Sequence, residues 1–298
     1  MAKSETLPSC WTPVSWNTTL PGDFFGVSPM SVTENTRRIT AANRAAWEQV
    51  APIHHTHNQA RLIESYSKPG FTNLDAVETR RLEALGIAGK DVAQVCCNNG
   101  QELISVKNMG AARCVGFDIA QGFIDQGREL AEAGGLDVEF VCTDIYDIDD
   151  EYAASFDVAT ITIGVLGWMP DLDGFFAVVA KLIRPGGALF IYEHHPILEM
   201  IEPGEAGAPI VWELSYFNKE PYVDTNGLDY FGGDKYDAKP ATSFSHTIAE
   251  VIMAGIDNGL AVEHFEEFPH HISDAWWNVE ESSLGLPMSY TLILRRGS

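Results

Sequence analysis

Residues 91–118 read D-V-A-Q-V-C-C-N-N-G-Q-E-L-I-S-V-K-N-M-G-A-A-R-C-V-G-F-D, and this stretch decides the fold. Its apolar, β-branched start predicts a strand. The small polar residues that follow predict a tight loop in which Asn98 and Gly100 adopt positive φ. A short amphipathic helix and a second strand complete the unit. Asp118 ends that strand eighteen residues after Gly100, where a dinucleotide-type fold carries the carboxylate that binds ribose hydroxyls.

The alternation of strands and helices continues beyond this unit. Apolar runs predict further strands at residues 138–142, 156–163 and 188–192, with helices between them. Such alternation predicts a doubly wound, Rossmann-like α/β sheet with parallel strands. A helix and two more strands, at residues 260–268 and 289–296, bring the number of strands to seven.

The remaining segments differ in composition. Residues 1–32 are rich in Ser, Thr and Pro, which predicts a loosely ordered N-terminal arm, and residues 33–72 contain a run of helix formers. Residues 73–195 and 246–298 carry the α/β pattern. Residues 196–245 are rich in Pro, Gly, Tyr and Asp and predict an inserted cap of short strands and turns.

The overall charge limits the partners of the chain. Asp and Glu outnumber Lys and Arg by 42 to 19, which gives a net charge of −23 over 298 residues. Such a surface repels phosphate backbones and anionic lipids, so we expect neither a nucleic acid nor a membrane as partner. The five cysteines are odd in number and lack a C-x-x-C pair, which is typical of a reduced, cytoplasmic protein.

A cluster of histidines follows Pro52, where the helix predicted over residues 40–51 should end. His54, His55 and His57 form an H-H-x-H pattern that could suggest a metal site. No carboxylate or cysteine lies at matching spacing nearby, so we expect no metal, and these side chains should either face solvent or support other site residues from behind.

The loop after the first strand resembles the cofactor-binding loop of class I S-adenosylmethionine-dependent methyltransferases. In that family the strand ends in an acidic residue and a Gly-x-Gly-x-Gly loop. Here Gln94 takes the acidic position, and Cys96, Asn98 and Gly100 take the glycine positions. The loop alone also fits a Rossmann-like unit for another nucleotide, or one that binds nothing.

Four further positions extend the resemblance over roughly residues 80–195. Asp118 matches the residue that binds the ribose in the family, and Asp144-Ile145 matches the pair that contacts the adenine. Phe156-Asp-Val158 resembles the F-D-x-V/I start of the fourth strand, and L-I-R-P-G-G-A-L at residues 182–189 resembles the family's L-x-P-G-G-x-L turn. The resemblance implies a seven-stranded mixed sheet whose last strand is antiparallel, with an N-terminal helix as a lid.

The resemblance also implies the cofactor. S-adenosylmethionine would bind at the carboxyl edge of the sheet and leave as S-adenosylhomocysteine. The residues implied to contact it are Gln94, Cys96, Asn98, Gly100, Asp118, Ile119, Asp144, Ile145, Ile163 and, from the lid, Trp47. The alternative for Trp47 is that it only docks the lid helix on the core.

Methyl transfer from a sulfonium is an in-line displacement, which requires alignment in a dry pocket and no metal. The fifth strand ends in Glu193, His194 and His195, and one of the two histidines could act as a general base. Side-chain alternation allows only one of them to face the site. Either histidine could instead only hydrogen-bond the loop at Pro196. Tyr222, one of several cap aromatics that could enclose a substrate or simply pack the cap, is the third catalytic candidate.

We therefore expect methyl transfer to a small metabolite with an amine, amino acid, thioether or hydroxyl acceptor. Two other functions stay open. A nicotinamide-dependent oxidoreductase would show a richer glycine fingerprint near the N-terminus. A non-catalytic nucleoside-binding module is suggested by the altered residues Gln94, Cys96 and Asn98. The sequence also leaves open whether the chain forms a homodimer.

Overall fold

The structure is a computed structural model, and it describes residues 32–231, 235–273 and 275–298. The loosely ordered arm predicted for residues 1–32 lies outside the described residues except for Val32. None of the helices in the described part of the chain is both long and apolar enough to cross a membrane.

A seven-stranded sheet forms the centre of the fold, and two further strands pair outside it. The strands of the described residues are β1 (Asp91–Val95), β2 (Arg113–Asp118), β3 (Glu139–Cys142), β4 (Phe156–Thr162), β5 (Ile183–His194), β6 (Tyr222–Asp224), β7 (Ala241–Ser243), β8 (Leu260–Phe268) and β9 (Ser289–Arg296). All except β6 and β7 join this sheet, in the order β3-β2-β1-β4-β5-β9-β8. β1 to β5 are parallel, and β9 is antiparallel to both β5 and β8. The predicted doubly wound, mixed sheet of seven strands is confirmed.

Helices cover both faces of this sheet. They are α1 (Glu34–His54), α2 (Ala60–Tyr66), α3 (Ala76–Ala84), α4 (Gln101–Asn108), α5 (Gln121–Gly134), α6 (Leu172–Leu182), α7 (Ile248–Asp257) and α8 (Trp277–Glu280). Adjacent residues of β1 point to opposite faces: Val92 packs with α2 to α5, and Ala93 packs with α6 and α7. The strand order reverses between β1 and β4, and at such a point open α/β sheets form a crevice at the carboxyl ends of the strands.

The helix at the N-terminus is longer than predicted. α1 begins after Thr33, whose Oγ1 accepts a hydrogen bond from the N–H of Thr36, and it continues through Pro52. The predicted end at Pro52 is wrong because the packing of Val50 and Ala51 against α5 outweighs the hydrogen bond that proline cannot donate. A π-helical turn at His55–Gln59 follows before α2 begins.

Two side-chain amides on α1 fasten it to β7 and to the segment before β7. Asn43 donates from Nδ2 to the carbonyl of Thr242 (2.9 Å) and accepts from the N–H of Thr242 (2.7 Å). Gln49 likewise donates to the carbonyl of Asp237 and accepts from the N–H of Lys239, each at 2.8 Å. Each amide therefore pairs with the backbone as a neighbouring strand would, which holds α1 against this part of the chain.

Candidate functional site

The loop between β1 and α4 adopts an unusual backbone. Cys96, Asn98 and Gly100 all have positive φ, at 53°, 51° and 67°. The positive φ predicted for Asn98 and Gly100 is confirmed, and that of Cys96 adds a third position. At Gly100 a Cβ atom would lie 2.4 Å from Cε1 of Phe140, so only glycine fits there. The backbone can thus turn sharply and bring its N–H groups close to the strand ends.

The carboxylate of Asp118 is held by this loop. Its Oδ2 accepts from the N–H of Asn98 (2.7 Å), and its Oδ1 accepts from the N–H of Ala120 (2.9 Å). Burial raises the pKa of Asp118 to about 6, although these hydrogen bonds favour the charged form. A carboxylate has about four acceptor positions, so the two used here leave Asp118 able to accept from a ligand.

A cavity of about 760 Å³ opens at this edge of the sheet. This volume lies in the range of small-molecule and cofactor sites. The ends of β1, β2, β4 and β5 form its floor, while α1 and residues 227–231 contribute to its walls. Aromatic side chains supply much of the apolar lining: Trp47, Phe123, Trp168, Tyr230, Phe231, Phe244, Trp276 and Tyr290.

The acidic groups around the cavity outnumber the basic ones. Among the residues that the structure describes, six carboxyl side chains line it: Glu102, Asp118, Asp144, Glu193, Glu199 and Asp229. No Lys or Arg lines it among the residues that the structure describes. The two lining histidines, His194 and His246, both have a pKa lowered by burial, which keeps them neutral at neutral pH. The cavity therefore favours a cationic or neutral ligand over an anion.

Nine of the ten residues predicted to contact a cofactor line this cavity: Trp47, Gln94, Cys96, Asn98, Asp118, Ile119, Asp144, Ile145 and Ile163. The tenth, Gly100, does not line it and instead lies against Phe140 at the start of α4. Trp47 lines the cavity and also packs on the core: its ring lies edge-to-face with Phe123 and with Trp168. The two roles weighed for Trp47 are thus compatible.

Comparison with known proteins identifies the domain that forms this cavity. Residues 92–187 match the family model described as a methyltransferase domain. The chain is also similar to a solved S-adenosylmethionine-dependent methyltransferase from Mesorhizobium loti, with a TM-score of 0.56 and 22% identity over 74% of this chain and 98% of that one. A DhpI–SAH complex has the same fold, with a TM-score of 0.52 and 15% identity over 89% of this chain and 99% of that one.

The chain thus carries a match to a methyltransferase domain, on the fold of solved S-adenosylmethionine-dependent methyltransferases.

Curated relatives match a shorter part of the chain. A ubiquinone biosynthesis O-methyltransferase from Idiomarina loihiensis is 31% identical over 105 residues, which cover 35% of this chain and 42% of that protein. The enzyme of the same name from Neisseria meningitidis serogroup A is 29% identical over 125 residues, which cover 40% of this chain and 52% of that protein. The chain thus matches about half the length of these relatives.

The residues of the methyltransferase domain fit S-adenosylmethionine. Asp118 offers acceptor positions to the two ribose hydroxyls. Asp144 ends the loop after β3, where its Oδ1 accepts from the N–H of Tyr146 (3.1 Å), and its second oxygen is available to an adenine amino group. The carboxyl groups of the cavity suit a ligand that carries a sulfonium and an ammonium, because both are cations.

The carboxylate of Glu193 shapes the loop that follows β4. It accepts from the backbone N–H groups of Gly164 (2.6 Å), Val165 (2.8 Å), Leu166 (3.3 Å) and His194 (2.9 Å). Burial raises its pKa, and the four N–H groups oppose that effect. These contacts explain why this buried carboxylate is tolerated, and they fix the loop that forms one side of the methyltransferase cavity.

The two histidines at the end of β5 have different surroundings. The ring of His195 accepts at Nδ1 from the N–H of Ile197 (3.2 Å), and its Nε2 lies 3.1 Å from Glu267. Only His194 lines the cavity, where its Nε2 has no hydrogen-bond partner and its ring lies edge-to-face with Trp276. Burial lowers the pKa of His194 to about 4. This placement favours His194 over His195 as a residue that contacts the acceptor.

The cap aromatic predicted to be catalytic lies elsewhere. Tyr222 is in β6, which pairs with β7, and its side chain is 53% exposed and does not line the cavity. The prediction for Tyr222 therefore needs correction: pairing with β7 keeps it away from the site, and Tyr230 lines the cavity instead. Of the two roles predicted for His54, the solvent-facing one is wrong: His54 is 2% exposed, with Nε2 3.0 Å from the carbonyl oxygen of Leu228, which lines the cavity.

Sequence reasoning missed several residues that line the cavity. Glu102 had a usable signal, because it follows Gly100 by two residues and therefore lies in the first turn of the helix that opens at the strand-order reversal. Glu199 had none, because its place depends on the short 3₁₀ turn at Pro196–Met200. Asp229 and Phe231 come from a segment without periodicity, so no pattern could assign them to a site.

Proposed function

We propose that this chain transfers a methyl group from S-adenosylmethionine to a small acceptor that is neutral or cationic. The observation that carries the proposal is the cavity whose described lining residues include six carboxyl groups, Asp118 among them, and no Lys or Arg. A carboxylate or phosphate on the acceptor would meet like charge there without a cation to pair with it.

The bound cofactor supplies an electrophilic methyl group on a sulfonium. The residues of the chain position and enclose the reactants. Asp118 and Asp144 would hold the nucleoside, and aromatic walls that include Trp47, Trp168 and Tyr230 would exclude water. We propose that residues 33–72 act as the lid and residues 196–245 as the cap over this site, and the paired amides of Asn43 and Gln49 support that division.

His194 is proposed to contact the acceptor. Its unpartnered Nε2 can accept a hydrogen bond from a hydroxyl or amine and so direct a lone pair of that group toward the methyl carbon. The curated relatives are named O-methyltransferases of ubiquinone biosynthesis, which supports a hydroxyl on a neutral, aromatic acceptor. The aromatic lining of the cavity is consistent with such a ring.

Calorimetric titration with S-adenosylhomocysteine tests the cofactor site. We expect Asp118→Ala to weaken binding by about 10- to 100-fold, because the buried acceptor for the ribose hydroxyls is lost. Asp125→Asn, an exposed carboxylate on α5, is the matched control and should bind normally. Heat with NAD but none with S-adenosylhomocysteine would support an oxidoreductase, and heat with neither would contradict the proposal.

Transfer of labelled methyl tests the acceptor class. The protein is incubated with methyl-labelled S-adenosylmethionine and with a panel of phenols, primary amines, thioethers and carboxylic acids of similar size. We expect label in neutral or cationic members of the panel. Label confined to the carboxylic acids would overturn the charge argument, and binding of the cofactor without transfer to a metabolite extract would favour a non-catalytic module.

A further inference from the structure

The first strand of the methyltransferase domain ends in an amide where the family has an acid. Gln94 is buried to 1% exposure, and its Nε2 donates to Oγ1 of Thr162 (2.7 Å). Its Oε1 is buried without a hydrogen-bond partner. A neutral amide cannot pair as an ion with the ammonium group of S-adenosylmethionine, so this position cannot supply the charge that the ammonium requires.

A carboxylate lies beside this amide on the next element. Glu102 is in the first turn of α4 and lines the same cavity as Gln94. Burial raises the pKa of Glu102, and the neighbouring side-chain amides of Gln94 and Asn73 oppose that shift. Asn73 is itself oriented, because its Oδ1 accepts from the hydroxyls of Tyr66 (2.9 Å) and Ser105 (2.7 Å). Glu102 therefore lies beside polar side chains that contacts in the core hold in place.

Within the part of the chain that the structure describes, no Lys or Arg lines the cavity to balance this carboxyl group. The side chains that oppose the rise in its pKa are the neutral amides of Gln94 and Asn73. An enclosed carboxylate without a counterion is costly unless a cation binds beside it. The arrangement is thus suited to an ammonium that arrives with a ligand.

We propose that Glu102 replaces the missing acid of β1 and pairs with the α-ammonium group of S-adenosylmethionine. This inference rests on the proposed function and adds a residue that the family pattern does not assign. Gln94 then has a positioning role, since its amide neighbours the carboxyl group of Glu102 and is itself fixed by the hydrogen bond from Nε2 to Thr162 of β4. In this arrangement the carboxylate that pairs with the ammonium lies in the first turn of α4 and not in β1.

The test compares two ligands that differ only at the amino group. One is S-adenosylhomocysteine, and the other is its deaminated analogue, in which hydrogen replaces the amino group. Calorimetry with the wild-type protein should show a preference of about 10- to 100-fold for S-adenosylhomocysteine. Glu102→Gln should remove most of that preference by weakening the binding of S-adenosylhomocysteine alone, and should leave the affinity for the analogue unchanged.

Two further variants make the result specific. Glu83→Gln, an exposed carboxylate on α3, is the charge-matched control and should keep the full preference. Gln94→Glu in the Glu102→Gln background puts an acid back at the end of β1, so the preference for the amino group should return. This recovery would show that the loss came from the missing charge, and thermal denaturation of each variant shows whether it is folded.

The outcomes separate this inference from the proposed function. Wild-type protein that binds neither ligand would overturn both. Glu102→Gln that retains the preference, or that loses affinity for both ligands equally, would overturn the role of Glu102 and leave the methyltransferase proposal standing.

Discussion

The two halves of the cavity are built in different ways. The cofactor half comes from the ends of β1 and β2 and the loop between β1 and α4, which lie within residues 91–118. Its key contacts join backbone to carboxylate, as between the N–H of Asn98 and Asp118. The acceptor half gathers His194, Glu199 and Trp276 with residues 227–231, which are far apart in the sequence.

The two halves of the cavity therefore differ in what fixes the positions of their residues. In the cofactor half, positive φ angles and close packing leave little choice of residue, so the geometry is set locally. In the acceptor half, long-range side-chain contacts set the geometry, such as those of the Asn43 amide with β7 and of the Gln49 amide with the segment before β7. Substitutions should therefore affect mainly folding and cofactor binding in the first half, and mainly turnover in the second.

The largest effect is expected at Gly100. In Gly100→Ala the new Cβ would meet the ring of Phe140 at 2.4 Å, and the residue would keep a positive φ. Overpacking and backbone strain together should lower the free energy of unfolding by about 2–4 kcal/mol. Thermal denaturation should show a fall in Tm of roughly 5–10 °C.

Gly89→Ala is the matched control for this prediction. Gly89 has a similar φ of 76°, but no atom lies within 4 Å of the Cβ that alanine would add. It should therefore show backbone strain alone, at about 1 kcal/mol. An equal decrease in the free energy of unfolding in the two variants would mean that packing against Phe140 does not constrain the loop. The claim that close local packing fixes the cofactor half would then be wrong.

The features of the cofactor half could be predicted from the sequence, because they are set by residues that lie close together in the chain. The order of strands, the positive φ at Asn98 and Gly100, and the acid at Asp118 follow from local patterns, and the structure shows each of them. Periodicity and turn chemistry act over a few residues, so a single sequence reveals them. That is why most predicted cofactor contacts meet in one cavity.

The acceptor half could not be predicted in this way. The aromatic composition of the cap makes Tyr222 a catalytic candidate, but its strand β6 pairs with β7 and leaves its side chain exposed. Tyr230, another cap aromatic, lines the cavity instead. The end of α1 at Pro52 was wrong for a related reason, because packing of Val50 and Ala51 outweighs the local penalty. Both errors concern contacts between distant segments, which no local pattern encodes.

The second prediction concerns turnover in the acceptor half. His194→Gln should lower kcat on the order of 100-fold, because the acceptor loses a hydrogen-bond partner at Nε2, with little change in affinity for S-adenosylhomocysteine. The pKa of His194 is lowered to about 4, so the imidazole stays neutral and should add no pH dependence to kcat between about pH 6 and 8.

His195→Gln separates contact with the acceptor from structural support. His195 accepts a hydrogen bond at Nδ1 from the N–H of Ile197, and its Nε2 lies 3.1 Å from the carboxyl group of Glu267. It does not line the cavity. Its replacement should lower Tm and leave kcat close to the wild-type value. Steady-state kinetics would contradict this assignment if the two variants lost turnover equally, or if His195→Gln lost more.

The smallest expected effect is at Glu199. This carboxyl group of the acceptor half has a raised pKa, so its charged form lowers the stability of the folded protein. Loss of hydration in the cavity wall raises the pKa of Glu199 to about 7, although the residue stays exposed to solvent at the cavity surface, and the charge of Glu193 adds to the shift. The folded protein holds this proton up to about pH 7, whereas an unfolded chain releases it near pH 4.3, so the contribution of Glu199 to stability falls as pH rises between these values. Glu199→Gln should therefore raise Tm at pH 8 and change it much less at pH 5, while the exposed Glu213→Gln should change it at neither. Equal shifts at both pH values would refute the raised pKa of Glu199. A gain in Tm confined to high pH, combined with slower methyl transfer, would show that this carboxylate is kept for the acceptor at the expense of stability.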